Sequence, residues 1–430
     1  MSRMRDLCVR PPLILKQGMT HKNVRAVCKT TKDGEGMFIV GIDVAKRKHD
    51  VSVITTEGDV VFKPFSIMNR CSGYNYLMEK LHKLTNIRGE FIFAMESTAH
   101  YWLALYTRLK KDGYTVVVLN PVQTSSMREM CLQYNKTDSI DALAIAEVIR
   151  FGRYSASNVP QEKLLALKEL CRSRNYIIEA ASDFKRKIIT LLDRIFPEYE
   201  TIFDSLFCKS SIAVLKKYPT PQKLINAHTN TLTGILRSSS GGHFGEWKAR
   251  ELKEAARNSF GVEDYDGVYS RLIQIYLEQQ LSLQTKAEEL EKEIATLLKE
   301  FETPVTSIPG IGTILAAVVL SEIGDITRFG SADQLASYIG VCPTVKQSGT
   351  YTSPGAHMSK HGSPYLRKAV WMAARTAVLY DPMFRSYYER KRGKGKNYMI
   401  AMGHVTRKMV SVIYAVMKSN TAYVPHLQAA

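Results

Sequence analysis

A change in residue pattern at Pro160 constrains the fold of this chain more than any other feature. Between Met37 and Leu119, short apolar runs alternate with turn residues and with segments of helical spacing, which predicts a mixed α/β sheet. After Pro160 the strand patterns end and long segments of helical spacing predominate. Because the chain has 430 residues, more than a single core usually supports, we expect separate domains.

The predicted organisation has an α/β part followed by an α part. Within the second part, Glu162–Phe196 and Asp266–Phe301 are predicted long helices, joined by a Ser/Gly-rich interruption at Ser238–Gly242. Apolar spacings of three, four and seven in the second helix fit either a coiled coil or a helix packed in an intramolecular bundle. The predicted segments are a basic flexible arm (1–36), an α/β domain (37–155), a helical spacer (156–302), a mostly helical C-terminal domain (303–418) and a tail (419–430).

The charge balance indicates a polyanionic partner. Lys and Arg number 59 against 41 Asp and Glu, a formal net charge of +18, and such a surplus favours nucleic acid through counterion release. Residues 341–430 hold 14 Lys/Arg and 2 Asp/Glu, so we expect nucleic acid to dock mainly there. A merely soluble basic surface is the alternative, but such surfaces normally intersperse both signs of charge.

Cysteine usage and hydropathy indicate in which cellular compartment the protein is expected. The seven cysteines are odd in number and include no Cys-x-x-Cys pair, so neither a zinc knuckle nor a disulfide framework is indicated. No run of about 18 apolar residues is present, and the polar start lacks a signal-type apolar block. We therefore expect reduced thiols, no membrane partner and a location in the prokaryotic cytoplasm, in association with the nucleoid.

Two acidic residues follow predicted buried strands. Asp43 follows the apolar run Phe38–Ile42, a hairpin pattern comes next, and Glu96 then follows the apolar run Phe91–Met95. Either acid alone is explained as a strand-end residue in a loop. Their order along the chain, with two further acids downstream, favours a shared site.

The two further acids are Asp138 and Asp141, three residues apart and hence on one face of the predicted helix Thr137–Arg150. Asp138 alone could be a first-turn acid favoured by the helix dipole. Four converging carboxylates repel one another unless cations neutralise them, and hard oxygen ligands select Mg²⁺ or Mn²⁺. Two such ions about 3.5–4 Å apart can support displacement at a phosphodiester.

A second group of candidate residues lies in the C-terminal domain. Gly310 and Gly312 form a predicted tight turn before a helix, as in helix-hairpin-helix motifs whose N–H groups meet a phosphate. An ordinary helical hairpin whose glycines only permit the bend is the alternative. Further on, several serines could each be a nucleophile, a turn residue or a helix cap, and chemistry alone selects none of them: Ser348, Ser353, Ser359 and Ser363.

Three segments carry a resemblance to a known family. Gly41–Lys46, Met95–Thr98 and Asn135–Ala142 resemble the Asp-Glu-Asp-Asp motifs of the insertion sequence 110 transposases, relatives of the Piv invertase. The resemblance extends from about Met37 to about Met417. It implies a RuvC-like N-terminal domain of ribonuclease-H-like fold, in which Asp43, Glu96, Asp138 and Asp141 are catalytic metal ligands.

The same resemblance selects one serine. Ser348, in Gln347-Ser348-Gly349, matches the family's nucleophile position. Lys360 and Arg367 could supply positive charge to the phosphate, and His357 or His361 could carry protons.

The implied enzyme is a recombinase in which Ser348 becomes covalently joined to DNA and acts with the acidic site across the subunits of a dimer or tetramer. Its partners are donor and target DNA and a noncoding guide RNA, and no nucleotide cofactor is required. The arm 1–36 departs from the family pattern. A metal-only nuclease or junction resolvase, and a non-catalytic nucleic-acid-binding protein, are the other classes considered.

Overall fold

The structure is a computed structural model that describes residues 36–121, 123–125, 138–152, 154, 162–344, 347–348, 351–352 and 357–425. The chain divides into two compact units, with the boundary between Val159 and Pro160. Three predicted features lie outside the described residues: the arm except for its last residue, Thr137 at the start of the predicted helix, and Ser353.

The first unit contains a five-stranded sheet: β1 (Phe38–Val44), β2 (Lys48–Thr55), β3 (Val60–Met68), β4 (Phe91–Glu96) and β5 (Thr115–Leu119). The strand order is β3-β2-β1-β4-β5. β1, β2 and β3 form an antiparallel meander, whereas β4 pairs in parallel with both β1 and β5. The predicted hairpin is confirmed between β2 and β3, where Gly58 adopts a φ of 103° and donates to the Thr55 carbonyl at 3.1 Å.

Helices cover both faces of this sheet. They are α1 (Cys71–Leu81), α2 (Trp102–Lys111) and α3 (Asp138–Phe151). Because strand side chains alternate between faces, Val40 and Ile42 of β1 pack in one core with the apolar residues of α1 and α2, while Ile39 packs with α3 in another. The predicted mixed α/β unit is therefore confirmed.

The second unit is almost entirely helical, as predicted, and also contains four two-residue strands. Its helices are α4 (Glu162–Ile195), α5 (Lys209–Lys217), α6 (Pro221–Ile225), α7 (Thr229–Ser240), α8 (Glu246–Arg257), α9 (Val268–Leu298), α10 (Thr313–Ile323), α11 (Ala332–Ile339), α12 (Pro364–Tyr380), α13 (Pro382–Gly393) and α14 (Tyr398–Ser419).

The predicted connection between the two long helices was wrong. Ser238–Ser240 belong to the end of α7, and four helices, not a Ser/Gly-rich interruption, separate α4 from α9. These helices form because each segment has its own boundary residues: Thr220 caps α6 by accepting from the Lys223 N–H, and Gly241 ends α7 with a φ of 63°. Their apolar faces then close over a core of their own.

The long helices α4 and α9 pack along each other within the chain. The buried apolar residues of α9, which face this contact or the cores at its two ends, are Ile273, Leu277, Ala287, Ile294 and Leu298. Arg174 of α4 also donates twice to Glu291 of α9, at 2.9 and 2.5 Å. The structure therefore shows α9 packed against another helix of the same chain, which is the intramolecular bundle that was predicted as one of the two alternatives. Within the described ranges, no helix has the length and apolarity that crossing a membrane requires.

Candidate active site

The parallel register of β1 and β4 brings two of the predicted acids together along the backbone. Ile42 pairs with Met95, and the next residues along the two strands are Asp43, the next-to-last residue of β1, and Glu96, the last residue of β4. Side chains alternate along a strand, which assigns Asp43 and Glu96 to the face of the sheet that α3 covers.

A glycine sets how closely α3 approaches this face. A Cβ at Gly41 would lie 2.2 Å from the Ala142 carbonyl oxygen and 2.8 Å from the Ala146 Cβ, so only glycine permits the contact. At the other end of the helix, a Cβ at Gly58 would lie 3.2 Å from the guanidinium carbon of Arg150. The Gly58 turn lies beside the start of β1, so α3 runs antiparallel to β1.

The direction of α3 determines where the other two acids lie. Its first turn, with Asp138 and Asp141, is at the end of β1 that carries Asp43. Asp141 is buried, with 8% of its surface exposed. The backbone thus brings all four predicted acids to one edge of the sheet. The side chain of Asp138 lies outside the described residues.

Two hydroxyl groups hold the Glu96 carboxylate. Thr98 Oγ1 donates to one carboxylate oxygen at 2.7 Å, and Thr124 Oγ1 lies 2.5 Å from the other and 2.9 Å from the Pro121 carbonyl oxygen. These contacts fix the direction in which Glu96 points. Thr98 lies within a motif that the sequence analysis singled out, whereas Thr124 is brought in by the chain after β5 and had no sequence signal.

Asp50 is a fifth acid that the sequence analysis missed. It pairs directly with Asp43 across β1 and β2, and cross-strand partners share a face. Lys48 Nζ lies 3.3 Å from Asp50 Oδ2, and the Ser66 hydroxyl donates to Asp50 Oδ1. Asp50 therefore places a compensated negative charge beside the predicted metal ligands.

The predicted acids lie at one edge of the sheet, but the described side chains do not form a complete metal-binding site. Among the side chains that the structure describes, no three of His, Cys, Asp or Glu are close enough to hold a metal ion. The described members of the predicted set are Asp43, Glu96 and Asp141. Carboxylate oxygens are nevertheless ligands that Mg²⁺ and Mn²⁺ prefer, so the chemistry of these three residues fits either ion.

In the second unit, Ser348 lies in a segment here called the serine arm, whose described residues (343–344, 347–348, 351–352 and 357–358) form two short two-stranded ladders. β6 (Pro343–Thr344) pairs with β9 (His357–Met358), and further along β7 (Gln347–Ser348) pairs with β8 (Tyr351–Thr352). Both ladders are antiparallel, and Ser348 faces Tyr351 in the register. The chain therefore runs in opposite directions at Gln347–Ser348 and at Tyr351–Thr352.

The base of the serine arm is tightly packed. Ser359 N–H donates to the Cys342 carbonyl at 2.9 Å, and Lys360 N–H donates to the Gly340 carbonyl at 3.1 Å. A Cβ at Gly362 would lie 2.0 Å from the Tyr338 carbonyl oxygen. Lys360 itself has a φ of 55°, an uncommon conformation for a residue other than glycine, so the surrounding contacts hold it there.

Other predicted residues in this region divide between exposed and structural positions. Lys360 and His361 are exposed, whereas Arg367 is half-buried and donates to the Ile339 carbonyl at 3.2 Å. Ser363 caps α12 by accepting from the Leu366 N–H at 3.3 Å, which is the helix-cap alternative. The side chains of His357 and Ser348 lie outside the described residues.

The glycines of the predicted hairpin motif occupy different environments. Gly310 has a φ of 87°, and a Cβ there would lie 2.3 Å from the Ala373 carbonyl oxygen of α12. Glycine is therefore required at position 310 for close packing against α12 inside the second unit. Gly312 immediately precedes α10, and a Cβ there would have no atom within 4 Å, so its surroundings are open.

A buried carboxylate ties α10 to the spacer helix α4. Glu322 accepts from Arg172 at 2.7 and 3.1 Å, and Lys168 Nζ lies 3.4 Å away. Burial favours the neutral acid, but hydrogen bonds from Arg172 and Ser363 and the charges of both basic residues outweigh it. The pKa of Glu322 is therefore lowered below its ordinary value.

Comparison with known proteins identifies the class. Residues 40–197 match a transposase model of the IS110 group, and residues 302–389 match the model of the IS116/IS110/IS902 transposase family. An IS116 protein of Streptomyces clavuligerus is 26% identical over 90% of this chain and 96% of its own length. An IS110 protein of Streptomyces coelicolor is 25% identical over 92% of this chain and 97% of its own length.

A shorter match adds a different kind of relative. The pilin gene-inverting protein of Moraxella bovis is 33% identical over 28% of this chain and 37% of its own length. The two family models describe transposases, which are enzymes that act on DNA, and this chain is of that class. It belongs to the IS110 family of transposases, as its sequence motifs predicted.

Proposed function

We propose that this protein is an insertion-sequence transposase, a site-specific DNA recombinase that uses Asp43, Glu96, Asp138 and Asp141 as a Mg²⁺ or Mn²⁺ site and Ser348 as its nucleophile. The observation that carries the proposal is the backbone position of the four acids, which all belong to one edge of the sheet. The β1–β4 register and the direction of α3 bring these residues there from three separate parts of the chain.

The fold supports this assignment. An antiparallel meander followed by two parallel strands, in the order β3-β2-β1-β4-β5 and with a helix across one face, is the arrangement expected of a ribonuclease-H-like, RuvC-like domain. In such a sheet the residues at the ends of β1 and β4 lie side by side. We therefore assign the first unit to that fold.

The proposed metal site rests on backbone position and donor chemistry. Asp43, Glu96, Asp138 and Asp141 would hold the ion, and Thr98 and Thr124 would keep the Glu96 carboxylate oriented toward it. A bound Mg²⁺ or Mn²⁺ supplies positive charge that polarises the phosphate and stabilises the oxygens around phosphorus.

The proposed reaction conserves the energy of the broken bond. Ser348 Oγ forms a bond to phosphorus while the bond from phosphorus to one deoxyribose oxygen breaks, and the serine proton is transferred to that departing oxygen, which leaves as a hydroxyl group. A hydroxyl group of the exchanged strand then attacks the phosphoserine and returns the proton to Ser348. Lys360 and Arg367 would supply positive charge near the phosphate. No nucleotide cofactor is consumed.

The proposed partners follow from the family and from the charge. Donor and target DNA are the substrates, a noncoding guide RNA pairs with both, and the acidic and serine sites act together in a homo-oligomer, a dimer or a tetramer. The +18 net charge suits several polyanionic partners.

The test is cleavage of labelled element-end DNA in the presence of target DNA, the adjacent transcript and Mg²⁺. We expect Asp43→Asn and Ser348→Ala each to abolish cleavage, and EDTA to do the same. Matched controls are Asp59→Asn, an exposed acid in the β2–β3 turn, and Ser238→Ala, an exposed serine of α7; both should cleave like the wild type.

The variants also separate the rival functions. Cleavage that survives Ser348→Ala but not Asp43→Asn would replace the proposal with a metal-only nuclease or junction resolvase. A protein that binds DNA but does not cleave it under any of these conditions would be a non-catalytic binding protein.

A further inference from the structure

The turn between α13 and α14 carries an exposed surface that the proposed reaction does not use. We define the basic-aromatic turn as residues 387–400. All nine residues from Arg392 to Ile400 are exposed in succession; they include the end of α13, the connection and the first residues of α14. The two helices are anchored in the core of the second unit by Phe384 and Met402.

This turn is strongly positive. Within it, Glu389 is the only acid. Across the described ranges, none of its basic side chains is part of an ion pair. The local charge also affects His404 of α14, whose pKa is lowered by burial and by Lys391, Lys396 and Arg407. The basic residues are Arg390, Lys391, Arg392, Lys394 and Lys396.

The turn is nevertheless built by specific hydrogen bonds. Gly395, at a φ of 75°, donates its N–H to the Arg392 carbonyl at 2.9 Å, and the Arg392 guanidinium donates to the Lys396 carbonyl at 2.9 Å. Asn397 then caps α14 by accepting from the Ile400 N–H at 2.9 Å. The lysines therefore stand on a defined loop, with their charged ends in solvent.

Aromatic and apolar side chains lie beside these charges. Arg390 and Lys391 stand 5.3 and 5.2 Å from the centre of the Tyr387 ring. Tyr398 packs its ring against Tyr388 at 6.4 Å and is 46% exposed, and the next residue, Met399, is 62% exposed. Positively charged side chains and exposed aromatic and apolar side chains therefore occur together in one continuous part of the chain.

We infer that the basic-aromatic turn binds an unpaired nucleic-acid strand, with backbone phosphates on the lysines and one or more bases stacked on Tyr398. Phosphate contacts alone would suit a duplex equally well. A duplex, however, keeps its base faces inside its own stack, whereas an unpaired strand can offer them to an aromatic ring. The exposed Tyr398 and Met399 therefore favour a single strand.

This inference deepens the proposed function, and it rests on that function only for the biological source of the strand. The binding itself needs neither metal nor Ser348. It can therefore be measured on the full chain in EDTA, where no cleavage is expected.

The test is fluorescence anisotropy with oligo-dT, oligo-U and a mixed-sequence duplex, each of about 12 units, which matches the usual span of single-strand sites. We expect either single strand to bind more tightly than the duplex, and preference between oligo-dT and oligo-U to distinguish a DNA from an RNA source. Equal or tighter binding of the duplex would overturn the inference.

Charge variants locate the site. The triple variant Arg392→Gln, Lys394→Gln, Lys396→Gln should bind at least tenfold more weakly, and its slope of log affinity against log salt should be shallower by about 2. The matched control removes the same charge from exposed lysines elsewhere in the second unit, Lys209→Gln, Lys292→Gln, Lys299→Gln. Equal losses in both variants would show that only net charge matters and would refute the site.

Stacking is tested at one position. Tyr398→Ala should weaken single-strand binding roughly fivefold or more, while Tyr398→Phe, which keeps the ring, should bind like the wild type. An oligonucleotide carrying 5-iodouracil should cross-link to the Tyr398 peptide under ultraviolet light. If Tyr398→Ala binds the single strand with wild-type affinity and the cross-links form at other residues, the proposal is wrong. Ser348→Ala must retain full binding, so loss of catalysis and loss of this site are distinguishable.

Discussion

The close approach of α3 to β1 at Gly41 predicts that the fold and the acidic site are sensitive to one methyl group. In Gly41→Ala, the added Cβ would start 2.2 Å from the Ala142 carbonyl oxygen. Ordinary carbon–oxygen contact requires about 1 Å more than this. The obstacle is backbone, so no rotamer change relieves it, and α3 must move away from the sheet.

The size of the effect follows from that shift. Overpacking of this kind costs about 1–3 kcal/mol of unfolding free energy. Because Asp141 immediately precedes Ala142, a shift of about 1 Å also displaces it from Asp43 and Glu96, and a displacement of that size lowers a catalysed rate about a hundredfold. Gly41→Ala should therefore lose activity well before it loses its fold.

Three measurements check this prediction: the free energy of unfolding in urea, hydrogen exchange of the α3 amides, and DNA cleavage. The matched control is Gly89→Ala, in the same unit, where nothing lies within 4 Å of the new Cβ and φ is not positive. Faster exchange confined to α3 shows the displacement even if cleavage is lost altogether. If Gly41→Ala behaves like Gly89→Ala in all three, α3 does not pack on β1 as described.

Three further changes have defined outcomes. Thr124→Val removes one hydroxyl from Glu96 and should lower metal affinity or cleavage about 10–100-fold, measured by Mg²⁺ titration of activity. Gly310→Ala should destabilise the second unit by about 1–3 kcal/mol in urea unfolding, since its Cβ meets α12 and its φ is positive. Glu322→Gln should cost about 1–3 kcal/mol near neutral pH, because it removes the buried negative charge that accepts from the partly exposed Arg172 and lies beside Lys168. The pKa of Glu322 is lowered, so its contribution is complete above the ordinary glutamate range and is lost as the pH falls through the lower folded value; unfolding curves of wild type and variant should converge in acid.

The strands of the first unit could be predicted from the sequence because their signal is local. A short apolar run such as Phe38–Ile42 is typical of a buried strand, and the residue that follows the run is then expected near the end of that strand. The structure places Asp43 as the next-to-last residue of β1, not after it, and Glu96 as the last residue of β4. The difference changes neither the edge nor the face on which they lie.

Other features depend on pairing between distant residues, which periodicity does not reveal. Asp50 lies opposite Asp43 only because of the β1–β2 register. Thr124 reaches Glu96 through the chain that follows β5. Gly310 is explained by its contact with α12, 63 residues further along at Ala373. A single sequence gives no warning of such contacts.

The helices between α4 and α9 were missed for another reason. They are short, with 12 residues or fewer each, so each segment offers only a few turns in which a helical period can be recognised. The serine residues show the same limit: a cap such as Ser363 and a residue on a short ladder such as Ser348 look alike until the helix and the ladder are seen.

Chemical attachment of DNA to the protein is the most direct test of the proposed mechanism. The full chain, element-end DNA, target DNA, the adjacent transcript and Mg²⁺ are incubated, denatured and digested, and the peptide that carries nucleotide is identified by mass spectrometry. We predict one adduct, on Ser348, that is absent in EDTA and in Asp43→Asn. Cleaved DNA without any adduct, or an adduct on another residue, would contradict the proposed mechanism.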